Sequence, residues 1–273
     1  MNIKQIYAAY WSPTGNTRKI ARMLAGELAE ELDCPMELLD FTLPKARESA
    51  MTFSSEDLVV FCTPTYAGKV PNKILPYIQE QVLGNGALAI PVVTFGNRNF
   101  DNSLAELSVT LKKNDFHLVA AAAFACRHAF TDELAFGRPD TADETELKDF
   151  AKNAACKIRE SEGVPLAPEI PGDSDAPYYI PKGVDGQPVQ FLKAKPQTDL
   201  SKCTNCGACA RQCPMGAIDL KNVANTPGTC IKCQRCVRIC TKHAKYFDDK
   251  AFLSHVAMLE ENFSEPKENQ IFF

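Results

Sequence analysis

Eight cysteines stand in two runs of one spacing. The first run is Cys203, Cys206, Cys209 and Cys213, closed by Pro214; the second is Cys230, Cys233, Cys236 and Cys240. Each reads Cys-x2-Cys-x2-Cys-x3-Cys, a spacing already known from cluster-binding chains rather than one deduced from geometry. Soft thiolate suits iron and offsets its charge, and four thiolates hold one 4Fe-4S cluster, so eight supply two. Zinc sites favour paired Cys-x2-Cys knuckles, which two four-cysteine runs fit poorly. The chemistry expected is one-electron transfer. Twelve cysteines in a secreted mini-domain would suggest disulfides. In a 273-residue chain whose N-terminus shows no signal-peptide core, they point to metal ligation in the cytoplasm.

These runs occupy the last third of the chain. Ahead of them, strand and helix patterns alternate. Strands are expected at 3–10, 36–41, 57–64, 87–96 and 118–126, with helices at 72–82, 102–111 and 142–160 between or after them. A further helix follows the first strand, with Ile20, Leu24, Leu28 and Leu32 on one stripe. Five strands separated by helices predict a parallel sheet covered on both faces, an α/β fold. Ligands of such sheets bind beyond the carboxyl ends of the strands. That rule selects loops 12–17, 63–71 and 95–102. The first is rich in hydroxyls and opens a helix, whose N–H groups and dipole favour a phosphate. The other two offer Tyr66 and Phe100 beside glycine- and amide-rich backbone, which suits a flat heterocycle. Cys34, Cys62, Cys126 and Cys156 read as small packing residues, and the four histidines as structural.

Ser12-Pro-Thr-Gly-Asn-Thr17 resembles the FMN-phosphate loop of flavodoxins. Pro64-Thr-Tyr66-Ala-Gly68 and Gly96-Asn97-Arg-Asn99-Phe100-Asp101 resemble the two loops that hold the isoalloxazine ring in that family. The resemblance implies a flavodoxin-like five-stranded parallel sheet over residues 1–162. Ser12, Thr14, Gly15, Asn16 and Thr17 would hold the phosphate. Pro64, Thr65, Tyr66, Ala67 and Gly68 would flank one side of the ring, and Asn97, Asn99, Phe100 and Asp101 the other. Residues 198–250 resemble the bacterial two-cluster ferredoxins, a small α+β domain in which the fourth cysteine of each run serves the other cluster. Carried over, Cys203, Cys206, Cys209 and Cys240 hold cluster 1. Cys230, Cys233, Cys236 and Cys213 hold cluster 2. Thr241 stands where the family's second run has proline, and the surround is basic. Nearly the whole chain thus resembles the flavodoxin–ferredoxin fusions of anaerobes, the EFR1-type family.

Residues 163–197 recur in proline and read as a connector, with Tyr178-Tyr179-Ile180 as an apolar knot expected to pack on a domain and fix the pose. Ala217–Leu220 reads as a short strand. Residues 251–273 read as a helix capping the cluster domain, then an apolar end at Ile271–Phe273 that docks at the domain interface or stays disordered. The net charge of −4 gives no basic balance for nucleic acid or a membrane surface. No catalytic constellation stands out. The expected function is an electron carrier linking FMN, two 4Fe-4S clusters and partner redox proteins. An FMN-dependent reductase of a quinone, oxygen or nitro compound, and a redox-responsive binding module, are the alternatives.

Overall fold

A computed structural model describes residues 3–273; residues 1 and 2, which open the first expected domain, lie outside the described residues. The first half contains β1 (Gln5–Tyr10), α1 (Asn16–Leu32), β2 (Met36–Asp40), a 3-10 turn at Pro44–Arg47, β3 (Met51–Thr52), β4 (Asp57–Pro64), α2 (Leu75–Gln81) and β5 (Val82–Leu83). It continues with β6 (Leu88–Phe95), α3 (Ser103–Lys113), β7 (His117–Leu118), β8 (Ala121–Ala125) and α4 (Thr141–Glu160). The second half contains β9 (Gln197–Thr198), α5 (Ala208–Arg211), α6 (Arg235–Arg238), β10 (Lys245–Tyr246), α7 (Lys250–Asn262) and β11 (Gln270–Phe272).

The main strands run parallel in the order β2-β1-β4-β6-β8. This is the doubly wound 2-1-3-4-5 arrangement of the flavodoxin-like fold. β6 is buried along its whole length and β4 along all but its last residue, as a sheet covered on both faces requires. α1 and α4 supply one apolar layer, through Leu24, Leu28, Phe150 and Ile158. α2 and α3 supply the other, through Ile78, Leu104, Leu107 and Leu111.

Three elements differ from the sequence expectation, each for a local reason. The strand expected at 118–126 is split. β7 pairs with Leu88 and Ala89, and β8 with Val92 to Phe95, leaving the ladder open at Pro91, which has no N–H to give. Helix α2 begins at Leu75 because Pro76 favours the first helical turn, and Asn72–Ile74 form a turn. Ala217–Leu220 is not a strand. Gly228 donates to Ala217 O at 3.1 Å and Asp219 to Asn225 O at 3.0 Å, two isolated bonds without a ladder. The sheet of that region is instead β9 against β10, antiparallel.

The two cysteine runs fold as repeats. Asn205 and Lys232 both take positive φ, as do Gly207 and Gln234, and Gly216 and His243. Each run then closes on a single helical turn, α5 or α6. The chain end returns to the first domain. β11 pairs antiparallel with β8, placing Ile271 opposite Ala122 and covering that sheet edge. On the way, α7 sets Met258 and Leu259 against Leu134 and Phe130 of the first domain. The tail therefore binds the sheet itself.

Candidate cofactor sites

The loop after β1 leads into α1 without a side-chain cap. Gly15 is its N-cap at φ 100°, and its first turn holds no acidic residue. α4 contrasts with it, closed by an Asp140–Asp143 capping box. The Asn16 and Thr17 amides opening α1 are thus available to an anion, while the Arg18 amide is taken by Ser12. The hydroxyls shape the loop: Ser12 Oγ accepts from Arg18 N at 2.9 Å, and Thr17 and Thr94 share a 2.8 Å hydroxyl bond. Asn16 is spent on Arg127 O at 2.9 Å, so its amide side chain fixes the loop against the one after β8.

A cavity of about 630 Å3 opens beside this loop at the carboxyl edge of the sheet. Thr14, Asn16 and Thr17 line it, as do Pro64, Thr65, Tyr66, Ala67, Gly68 and Asn99. Ser12, Gly15, Asn97, Phe100 and Asp101 are not among its lining residues. Asn97 serves the tail instead, donating to Phe263 O at 2.6 Å and Glu265 O at 3.0 Å and accepting from Lys267 N at 3.1 Å. Phe100 is in the core against Phe95. Asp101 pairs with Arg98, and a Cβ built on Gly68 would overlap the Asp101 carboxylate. The third loop thus reaches the cavity through Gly96, Arg98 and Asn99, with Asn97, Phe100 and Asp101 behind them.

The remaining wall comes from segments that sequence reasoning left out. Arg127, His128 and Phe130 follow β8, a fourth loop that the carboxyl-edge rule also covers. Tyr178, Tyr179, Phe191 and Leu192 come from the connector, and His255 and Leu259 from α7. The connector is strapped down. Tyr179 N donates to Ala67 O at 2.8 Å, and its ring lies 4.0 Å beneath the Arg98 guanidinium. Lys69 Nζ donates to Ser174 O at 2.5 Å and Ala176 O at 2.9 Å. Ile180, the third member of the apolar knot, faces solvent at 63 % exposure. Burial, with His255 and Arg238 nearby, lowers the His128 pKa to about 4. The ring is then neutral at pH 7, with Nδ1 accepting from Phe130 N at 3.1 Å and its proton on Nε2. Burial pushes the Cys126 thiol up to about 12 and the Cys62 thiol higher still, so both stay protonated.

The thiols of the two runs sit differently. Cys213, Cys230, Cys233 and Cys236 all line a second, small cavity. Backbone amides point at sulfur in matching places in both runs. Lys232 N donates to Cys230 and Asn205 N to Cys203, each at 3.4 Å; Ala217 N donates to Cys213 and Ala244 N to Cys240, each at 3.3 Å. Among the described residues no three Cys, His, Asp or Glu side chains converge as around a single ion. Segment Cys230–Ile231–Lys232 lines both cavities. Basic side chains clamp this side to the first domain. Arg235 Nη1 donates to Pro13 O at 2.9 Å, Arg47 Nη2 to Pro214 O at 2.7 Å, and Arg238 to His128 O, Ala129 O and Asp132.

Comparison with family models settles what these parts are. Residues 7–121 match a flavodoxin domain, and residues 196–219 and 227–244 each match a 4Fe-4S binding domain. The chain thus contains a flavodoxin domain followed by two 4Fe-4S binding domains. Among solved structures, a flavodoxin from the domain Archaea is 13 % identical, with a TM-score of 0.42, covering 58 % of this chain and 100 % of its own. The Streptococcus pneumonia TIGR4 flavodoxin is 18 % identical (TM-score 0.40; 57 % and 99 %), and Bacillus cereus flavodoxin 2 is 17 % identical (0.42; 57 % and 99 %). A search of curated proteins returned no match. The flavodoxin domain implies FMN, and the two binding domains imply two 4Fe-4S clusters. The residues present fit both. The Asn16 and Thr17 amides beside Thr14 suit a phosphate, and four cysteines lining one small cavity suit a cluster. Among the described residues no helix is long and apolar enough to cross a membrane.

Proposed function

We propose that this chain is a one-protein electron relay in which the flavin exchanges electrons with the cluster nearer to it. One observation carries the reading: Cys230–Ile231–Lys232 lines both the cavity beside the phosphate loop and the cavity ringed by Cys213, Cys230, Cys233 and Cys236. The wall between donor and acceptor is one segment thick. FMN supplies a carrier of one or two electrons when bound, and each cluster a carrier of one.

In this reading the α1 amides, Thr14 and the Ser12–Thr17 backbone hold the phosphate. Pro64 to Gly68 and Asn99 flank the ring, with Asn97, Phe100 and Asp101 behind. Tyr66 lines the first cavity and lies edge-on to Trp11 at 5.7 Å. Cys213, Cys230, Cys233 and Cys236 hold cluster 2, and Cys203, Cys206, Cys209 and Cys240 hold cluster 1. The strap, the arginine clamps and β11 keep the distance constant, so transfer needs no domain motion. Reduced thiols of this number suit the cytoplasm, with separate redox proteins as donor and acceptor. Anaerobic purification followed by flavin, iron and sulfide assays tests the reading. About one FMN and about eight iron per chain are expected. No flavin, or about four iron, would sink the corresponding half.

A further inference from the structure

Resting on that reading, we propose that the face around Cys206 docks an acidic one-electron carrier protein. Of the eight cysteines in the two runs, Cys206 alone is exposed. Its neighbours Thr204 and Asn205 are exposed too, as are Thr241, Lys242 and His243 beside Cys240. The stretches around Cys213 and Cys236 are instead held to the first domain, by Arg235 on Pro13 O, Arg47 on Pro214 O and the Pro44–Gly216 approach.

The charges divide in the same sense. Lys232 and Lys245 are buried, and Arg235 and Arg238 are bonded inward to loops of the chain. Exposed Lys202 and Lys242 flank the Cys206 stretch, which Asp199 N joins to Ala244 O at 2.8 Å, and exposed Arg211 reaches Cys206 itself. Arg211 Nη2 donates to Cys206 O at 2.7 Å and lies over Gly207. Among the described residues, Arg211 and Lys242 form no ion pair, and Lys202 pairs with half-buried Asp199 at 3.1 Å. A positive rim around an exposed ligand, on a chain of net charge −4, selects and orients an acidic partner. One electron leaves the carrier's metal centre, which is oxidised, and enters at the Cys206 edge; no bond or proton is exchanged.

The holoprotein is tested by stopped flow against two probes, a reduced acidic ferredoxin and reduced basic cytochrome c, with binding measured in parallel by biolayer interferometry. The acidic probe should react faster, and its rate should fall about tenfold as salt rises from about 0.02 to 0.3 M. K202E/K242E should slow it about tenfold at low salt and flatten the salt dependence, with flavin and iron content unchanged. A rate indifferent to salt or to the double variant, a preference for cytochrome c, or equal binding of a single-stranded oligonucleotide would overturn the proposal. Loss of iron from the wild-type chain would overturn the ligand reading instead.

Discussion

Lys69 should be the most costly single lysine to remove. Its side chain is 4 % exposed, and Nζ lies 3.0 Å from Glu106 Oε1, itself 9 % exposed. The other Glu106 oxygen accepts from Val70 N at 2.8 Å, and Lys69 also anchors Ser174 and Ala176 of the strap. Lys69→Met would leave a buried carboxylate without its cation, a loss of about 3–5 kcal/mol. In K69M/E106Q the amide oxygen still serves Val70 N–H while the uncompensated charge is gone. The remaining cost should fall to about 1–2 kcal/mol, for the lost strap bonds. Urea midpoints of the anaerobic holoprotein, followed by far-UV circular dichroism, give the comparison. Hydrogen exchange adds a local readout, since Tyr179 N–H should lose protection in both variants. A single variant no less stable than the double, or a K69M cost below about 1 kcal/mol, would refute this account of the strap.

Three further outcomes follow from the same geometry. Gly68→Ala places a Cβ at φ +76° against the Asp101 carboxylate, so FMN affinity measured by flavin fluorescence should fall more than about tenfold. The lowered His128 pKa disfavours the folded state in acid. The unfolded imidazole takes a proton below pH 6.5 and the folded one only near pH 4, so stability should fall by about 1.4 kcal/mol per pH unit across that window; His128→Gln should flatten the slope in thermal melts. Removing residues 264–273 deletes β11 and the bonds of Asn97 to Glu265 and Lys267, which should lower the melting midpoint by about 5–10 °C at about 2–4 °C per kcal/mol.

The cysteine runs and the alternation of strands and helices were legible because each rests on local spacing. The first loop was legible for the same reason, its hydroxyls and glycine falling between a strand and a helix. What the sequence hid depends on distant partners. Asn97 looked like a ring contact until residues 263–267 arrived to take its side chain. Lys69 sat in a loop read for its flexible glycine, and only Glu106 and the connector bury it. His128 and His255 looked ordinary because neither shares a ligand spacing; the fold brings both to one cavity. Pro91 carried a signal that went unused, since a proline in a central strand marks a break in pairing.

The central claim is that electrons cross the Cys230–Lys232 wall within one molecule. It is tested by giving the anaerobic holoprotein a sub-stoichiometric pulse of photoreductant and following cluster and flavin absorbance together. Flavin reduction should trail cluster reduction at a rate independent of protein concentration, and should disappear in a Cys233→Ala variant that retains FMN. A rate that scales with protein concentration, or that survives in that variant, would contradict the account.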